Sequence, residues 1–95
     1  MDISFKVENQ KFNYRVCAVI LSENQILAMR DERSPYFYLP GGRVKMGETA
    51  EQAVIREVWE ELSVTPKIDR PLCSIRRFLP RMWTAFAITN CAFTF

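Results

Sequence analysis

The chain has 95 residues, 48% of them hydrophobic and 25% charged, with a formal net charge of +2. This length suits one domain with a modest core, because so short a chain buries only about 60% of the surface that its unfolded form exposes. The sequence contains no histidine, which excludes Ser-His and Cys-His catalysis as well as histidine-bound metals.

Hydrophobic patterns in the first forty residues predict strands. Residues 3–7 alternate apolar and polar side chains, as in a strand buried on one face. Residues 15–21 form a continuous apolar run, which is typical of a strand covered on both faces. After a polar turn, residues 26–30 return as the second arm of a hairpin. Residues 36–39 predict a short strand whose aromatic side chains we interpret as core; stacking on a nucleobase is the alternative.

A helix is predicted over residues 49–62. Thr49 and Gln52 have the spacing of a capping box, in which each side chain bonds the backbone N–H of the other residue. Pro66 prevents the helix from continuing. The apolar residues that recur at helical spacing on one face are Ala50, Ala53, Val54, Val58 and Leu62. Strands followed by a loop and a helix indicate an α/β or α+β fold.

Three glutamates, Glu57, Glu60 and Glu61, lie within little more than one turn of this helix. Like charges at this spacing repel by a few tenths of a kcal/mol per pair, and a hard divalent cation with oxygen ligands would reverse that cost. Gly41 and Gly42, upstream, would let backbone approach a metal or phosphate closely. The alternative is an ordinary solvated helix face after a plain glycine turn.

The longer pattern around these glutamates resembles the Nudix box. Leu-Pro-Gly-Gly precedes it at residues 39–42, as is usual in that family. Ser63 departs from the pattern, which usually has glycine there; a left-handed helix end costs a non-glycine residue about 1–2 kcal/mol. The matching positions are Gly42, Glu48, Arg56, Glu57, Val58, Glu60, Glu61 and Val64.

The resemblance implies an α/β/α sandwich with a mixed sheet, incomplete at its C-terminal end. It implies Mg²⁺-dependent hydrolysis, with Mn²⁺ as an alternative ion, of the diphosphate linkage in a nucleoside diphosphate joined to another moiety. Gly41 and Gly42 would form the cofactor loop, and the general base stays open. By resemblance, the metal ligands are Glu57, Glu60, Glu61 and the Gly42 carbonyl, and the catalytic group is Glu57, Glu60, Arg56 and Glu48, with Arg56 and Glu48 orienting the ligands.

The expected partner is a small-molecule nucleotide derivative. No apolar run reaches the roughly 18 residues of a membrane helix, and the N-terminus has no secretory signal pattern. The three cysteines form no CxxC pair, so we expect reduced thiols in the cytoplasm. We expect no nucleic-acid or membrane partner, while a homodimer is an open option for so short a chain.

The end of the chain differs in composition from the rest. Residues 71–95 contain three arginines and none of the 11 acidic residues. We therefore divide the chain into residues 1–72, the N-terminal part of a Nudix domain, and an atypical tail, residues 73–95, which a shift of reading frame near Cys73 would explain. Two alternatives to an active hydrolase follow: a truncated, catalytically inactive remnant, and a module that binds nucleotide or metal.

Overall fold

The structure, a computed structural model, describes residues 1–92. The elements in chain order are β1 (Ser4–Val7), β2 (Gln10–Ser22), β3 (Gln25–Ile26), β4 (Gly41–Arg43), α1 (Ala50–Leu62), β5 (Lys67–Leu79) and β6 (Met82–Ala92). Within this part of the chain, α1 is the one helix and it lies against a mixed sheet. The α+β fold that the sequence predicts is therefore confirmed.

Strand β2 is the centre of the sheet. The strand order is β1-β2-β6-β5, and the short strands β3 and β4 also pair with β2. Strands β1, β3 and β4 run antiparallel to β2, while β6 runs parallel to it over residues 11–20 and 82–91. The last residue of β4, Arg43, pairs with Arg15 of β2. After β4 the chain leaves the sheet and leads into α1.

The core lies between β2 and α1. Every second residue of β2 from Val16 to Ile20 is buried, as the two-residue repeat of a strand requires. The intervening residues of β2 are only half-buried, because α1 covers one face and the described chain supplies no helix for the other. The prediction of a strand covered on both faces is therefore only half correct. The buried apolar side chains are Val16, Ala18, Ile20, Val44, Ala53, Val54, Val58 and Cys91.

Both ends of α1 have the predicted caps. The Thr49 hydroxyl accepts a hydrogen bond from the Gln52 N–H at 3.1 Å, and the Thr49 N–H donates to Gln52 Oε1 at 2.9 Å. At the other end, Ser63 adopts the left-handed conformation with φ 57° and ψ 29°, and its N–H donates to the Trp59 carbonyl at 2.8 Å. Serine thus occupies a backbone conformation that suits glycine.

The segment between β3 and β4 differs from its prediction. The returning arm of the hairpin is only Gln25–Ile26, and residues 36–39 form no strand. An isolated bridge between Met29 and Tyr38 is the only β pairing within residues 27–40. Because the sheet does not cover this segment, Tyr36, Phe37 and Tyr38 are 73%, 68% and 40% exposed. Their interpretation as core residues was wrong.

Residues 67–92 form a long antiparallel hairpin. Its strand β6 joins the centre of the sheet through β2, whereas β5 lies at the sheet edge and is exposed along most of its length. The division proposed between residues 72 and 73 falls inside β5. The reading-frame hypothesis stays a prediction that sequencing of the gene would test. Residues 93–95, the end of the predicted tail, lie outside the described part of the chain.

No helix among residues 1–92 has the length and apolar character needed to cross a membrane. The three cysteines, all within this range, are unpaired. Burial raises the pKa of the Cys91 thiol to about 11 and also raises the pKa of Cys17, so neither is activated as a nucleophile.

The helix end supplies the first test. Replacing Ser63 with glycine should raise the free energy of unfolding by about 1 kcal/mol, because glycine adopts φ > 0 without steric cost. Denaturant unfolding of Ser63→Gly and Ser63→Ala would measure this, and the alanine control should not gain stability. Equal stability of the glycine variant and the parent would contradict the strained cap.

Candidate metal centre

The guanidinium of Arg56 joins the helix to the loop that precedes it. Its Nε and Nη2 donate to the two carboxylate oxygens of Glu48 at 2.6 and 2.9 Å, a forked pairing. Its Nη2 also donates to the carbonyl of Arg43 at 2.9 Å. Its Nη1 donates to Glu57 at 2.8 Å and to Glu60 at 3.4 Å. One side chain thus orients three glutamates of the predicted site.

The carboxylate of Glu48 accepts hydrogen bonds from the helix and from the segment before it. Besides the two bonds from Arg56, its Oε1 accepts the backbone N–H of Lys45 at 2.9 Å. The hydrogen bonds from Arg56, supported by the Lys45 N–H, lower the pKa of Glu48 to about 2. The same pairing with Glu48, followed by that with Glu57, raises the pKa of Arg56 above its ordinary value. Both groups are therefore ionised at neutral pH.

The two glycines, which begin strand β4, are sterically required. A Cβ atom at Gly42 would collide with the carboxylate of Glu57, and one at Gly41 would collide with the carbonyl oxygen of Val16 in β2. The backbone of β4 at Gly42 therefore lies directly against a helix carboxylate. This is the close approach that the sequence predicts for the Gly41-Gly42 pair.

Glu61 is the carboxylate with the least complete set of partners. Its Oε2 is buried and accepts no hydrogen bond from any residue in the described chain. Desolvation raises the pKa of Glu61, a bond from the backbone N–H of Gly41 opposes this, and the charge of Glu57 adds to the rise. A buried carboxylate oxygen without a donor is unfavourable, and a cation would supply the missing partner.

The structure brings the predicted residues to one region but does not assemble a coordination shell. The side chain of Glu57 is 15% exposed, while that of Glu60 is 51% exposed at the margin of the group. No three acidic, histidine or cysteine side chains within residues 1–92 are arranged as a ready metal site. The carboxylates and the loop backbone nevertheless fit a hard cation chemically, because they present oxygen donors only.

Sequence reasoning did not predict two charge interactions of Glu61. The charge of Arg15, on β2, lowers the pKa of Glu61, and the charge of Glu61 in turn contributes to the raised pKa of Tyr38, after desolvation and Asp31. Neither residue belongs to the motif, and in the sheet Arg15 pairs with Arg43 of β4. The sequence feature that could have predicted the interaction is Arg15 itself, a charged residue at the start of an apolar strand.

The pairing of Glu48 predicts how stability depends on pH. The pKa of Glu48 is lowered in the folded state from an ordinary 4.5 to about 2, so its stabilising effect is complete above the ordinary value and is lost as the pH falls through the folded value. We expect Glu48→Gln to lower the free energy of unfolding by about 2 kcal/mol at pH 7. The deficit relative to the parent should shrink between pH 4.5 and 2.

Denaturant unfolding at several pH values would measure that deficit. Glu51→Gln is the matched control, since Glu51 is an exposed glutamate in the first turn of the same helix. A deficit that stays constant down to pH 2 would show that the ionised carboxylate of Glu48 is not what Arg56 requires.

Comparisons with known proteins identify the family. The model of the NUDIX domain matches residues 11–94. Over 56 residues the chain is 43% identical to an ADP-ribose pyrophosphatase of Methanocaldococcus jannaschii, which covers 56% of this chain and 33% of that relative. Over 28 residues it is 61% identical to an 8-oxo-dGTP diphosphatase of Escherichia coli K12, which covers 30% of this chain and 22% of that relative.

Solved structures of proteins named as Nudix or MutT members share the fold of this chain. A crystal structure of the MutT protein from Methanosarcina mazei Go1 superposes with a TM-score of 0.77 at 25% identity, covering 95% of this chain and 69% of that chain. The chain aligns with a third or less of the length of the two curated relatives above. Since the family model matches nearly all of its residues, the chain belongs to the Nudix family.

Proposed function

We propose that this domain hydrolyses the diphosphate linkage of a nucleoside diphosphate joined to another moiety, with Mg²⁺, or alternatively Mn²⁺, bound at the glutamate cluster. The observation that carries the proposal is the buried, unpartnered Oε2 of Glu61 beside the close contact of Gly42 with Glu57. The similarity to an ADP-ribose pyrophosphatase and an 8-oxo-dGTP diphosphatase supports the same reaction class.

The proposed ligands are the carboxylates of Glu57, Glu60 and Glu61 and the carbonyl of Gly42. A bound divalent ion would neutralise charge on the diphosphate and lower the pKa of a water. Glu57 and Glu60 both accept a hydrogen bond from Nη1 of Arg56, which limits the rotamers of the two side chains. The backbone N–H of Gly41 lowers the pKa of the Glu61 carboxyl.

Arg56 and Glu48 are positioning residues in this proposal. Glu48 neutralises Arg56 and draws it toward the loop, so that only Nη1 remains for Glu57 and Glu60. Loss of such an outer partner typically weakens metal affinity or activity by about 10–100-fold. The general base stays unassigned, because no carboxylate of the cluster is singled out by its contacts.

The proposed partner is a small nucleotide derivative. We place the protein in the cytoplasm because its three cysteines are unpaired, which suits a reducing compartment. The long exposed edge strand β5 favours a homodimer or another partner, since an unpaired strand edge tends to associate. The arginines of β5 do not by themselves indicate that this edge binds nucleic acid.

A second candidate is a module that binds metal and nucleotide without turnover. It is favoured by the exposure of Glu60 and by the absence of a ready three-carboxylate site in residues 1–92. Binding without product release would support this candidate over the hydrolase.

Activity gives the decisive measurement. Nucleoside diphosphate derivatives, including ADP-ribose, should be cleaved in Mg²⁺ and not in a chelator. Glu57→Gln and Glu61→Gln should each reduce kcat at least about 100-fold, since each removes a charged oxygen donor from the ion. Glu51→Gln, on the same helix but outside the cluster, should retain the parent rate. Cleavage that survives both site substitutions would refute the metal site.

Stability gives a separate measure of the same site. Without metal, Glu61→Gln should raise the melting temperature at neutral pH, because it removes a desolvated charge whose folded pKa is raised. Mg²⁺ at 100 times its dissociation constant should stabilise the parent by about 2.7 kcal/mol and leave Glu61→Gln unchanged. Thermal unfolding with and without Mg²⁺ measures both effects. A parent that Mg²⁺ does not stabilise would contradict binding at this site.

A further inference from the structure

Strand β5 forms an outer edge of the sheet. It pairs with β6 on one side and with no strand of residues 1–92 on the other. With 13 residues it is longer than β1 at the opposite edge, which has 4, and every residue of β5 except Ile68 is exposed. An unpaired edge presents a row of backbone N–H and C=O groups with which another extended chain can pair.

The two halves of β5 differ in how far they prevent such pairing. Register shifts interrupt the pairing with β6 between Ile68 and Arg70 and between Pro71 and Cys73. Bulges and prolines protect sheet edges, and proline also lacks an N–H donor. From Cys73 to Leu79 the pairing is continuous and the sequence contains no proline. A partner strand can therefore pair without interruption along residues 73–79, which we call the open edge.

Two arginines place positive charge on both faces of the open edge. Arg76 and Arg77 are exposed, and neither forms an ion pair with a carboxylate of the described residues. Since successive residues of a strand point to opposite faces, one guanidinium lies on each face of the sheet. Arg81, in the turn that follows, adds a third charge, and residues 71–95 contain no acidic side chain.

These charges disfavour a second copy of the chain as the partner strand. Antiparallel pairing of residues 73–79 with the same residues of a second copy would place the two copies of Arg76 opposite each other, at the centre of the segment. Like charges directly opposite each other in paired strands are destabilising, whereas opposite charges are stabilising. Charge complementarity therefore favours an acidic partner strand.

Apolar side chains flank the two arginines. Ile75 and Phe78 are 48% and 56% exposed, although Phe78 packs on Trp83 of β6 with ring centroids 4.2 Å apart. A partner strand would cover both side chains further, because residues opposite each other in neighbouring strands have Cβ atoms about 4.5–5.5 Å apart. Residues 75–78 are therefore complementary to a segment in which two acidic residues lie between two apolar ones.

We propose that the open edge of β5 binds an extended acidic segment of another protein, which adds a strand to the sheet. Backbone hydrogen bonds along residues 73–79 supply affinity, and two adjacent acidic side chains that pair with Arg76 and Arg77 supply specificity. The interaction involves no residue of the carboxylate cluster, so it is separate from hydrolysis.

Blocked hexapeptides test the proposal on the parent protein. Thr-Val-Glu-Glu-Val-Thr reads the same in both directions and therefore matches the open edge in either strand direction. It should shift the backbone amide NMR signals of residues 73–79, and its affinity should fall as added salt screens the charges. Thr-Val-Lys-Lys-Val-Thr, in which the charges are reversed, should bind at least about tenfold more weakly.

Methylation of the peptide backbone separates strand pairing from attraction by charge. N-methyl groups on both glutamates leave the acidic side chains unchanged. Because adjacent N–H groups of a strand point to opposite edges, the two methyl groups remove a donor from whichever edge faces β5. The methylated peptide should bind at least about tenfold more weakly than the unmethylated one. Equal affinity of the two peptides would show attraction by charge alone and would overturn the proposal.

Substitutions in the protein locate the binding surface. Arg76→Gln combined with Arg77→Gln should weaken binding of the glutamate peptide about tenfold. Lys6→Gln combined with Lys11→Gln is the matched control, because it removes the same charge from two lysines that lie opposite each other on β1 and β2. The control should leave the affinity unchanged. Equal losses in the two variants would show that net charge attracts the peptide, which contradicts docking at the open edge.

Two further outcomes count against the proposal. Unshifted signals of residues 73–79 at millimolar concentrations of the glutamate peptide would refute the open edge as a docking surface. Sedimentation equilibrium of the protein alone measures self-association. A dimer that Arg76→Gln combined with Arg77→Gln strengthens would show that a second copy occupies the open edge, and the acidic partner would then be wrong.

Discussion

The guanidinium of Arg56 makes five hydrogen bonds, three to the segment that precedes α1 and two within the helix. Arginine has five N–H donors in a rigid plane, so this set uses its full capacity. Two bonds go to Glu48, one goes to the backbone at Arg43, and the remaining two reach Glu57 and Glu60 on the helix. The loop and the helix carboxylates therefore cannot move independently without breaking charge-assisted bonds.

This constraint explains why the glycines are needed. Arg56 binds the carbonyl of Arg43 in β4, and in the same strand the backbone at Gly42 lies where any Cβ atom would strike Glu57. On its other side Gly41 pairs with Cys17 of β2. Strand β4 is thus confined between β2 and the helix, and near it a buried oxygen of Glu61 has no donor among the described residues. The unfavourable feature of the folded chain is also the feature that a cation would relieve.

Buried apolar side chains are distributed unevenly through the fold. The buried core connects α1, β2 and the neighbouring loop, with Cys91 as its one fully buried member from the β5–β6 hairpin. The hairpin's turn region instead exposes Phe78 and Trp83, which pack edge-to-face on each other with ring centroids 4.2 Å apart. The predicted site lies beside the buried core and not at the exposed turn of the hairpin.

The sequence by itself determined the helix and the grouping of its three glutamates. Thr49, Gln52 and Pro66 specify where the helix begins and ends through local hydrogen bonds and sterics, and three glutamates at helical spacing must share a side of it. Such information is contained in contacts a few residues apart. The same is true of Ser63, whose left-handed conformation follows from the geometry of a helix end.

Only the tertiary structure decided what lies around those residues. The parallel pairing of β6 with β2 joins residues about seventy positions apart in the chain, and no local pattern in residues 71–95 specifies it. The exposure of Tyr36 and Phe37 likewise depends on whether the sheet extends over their loop, which a run of aromatic residues does not reveal. Short-range spacing therefore predicted the chemistry of the site, while long-range pairing decided which side chains surround it and which remain exposed.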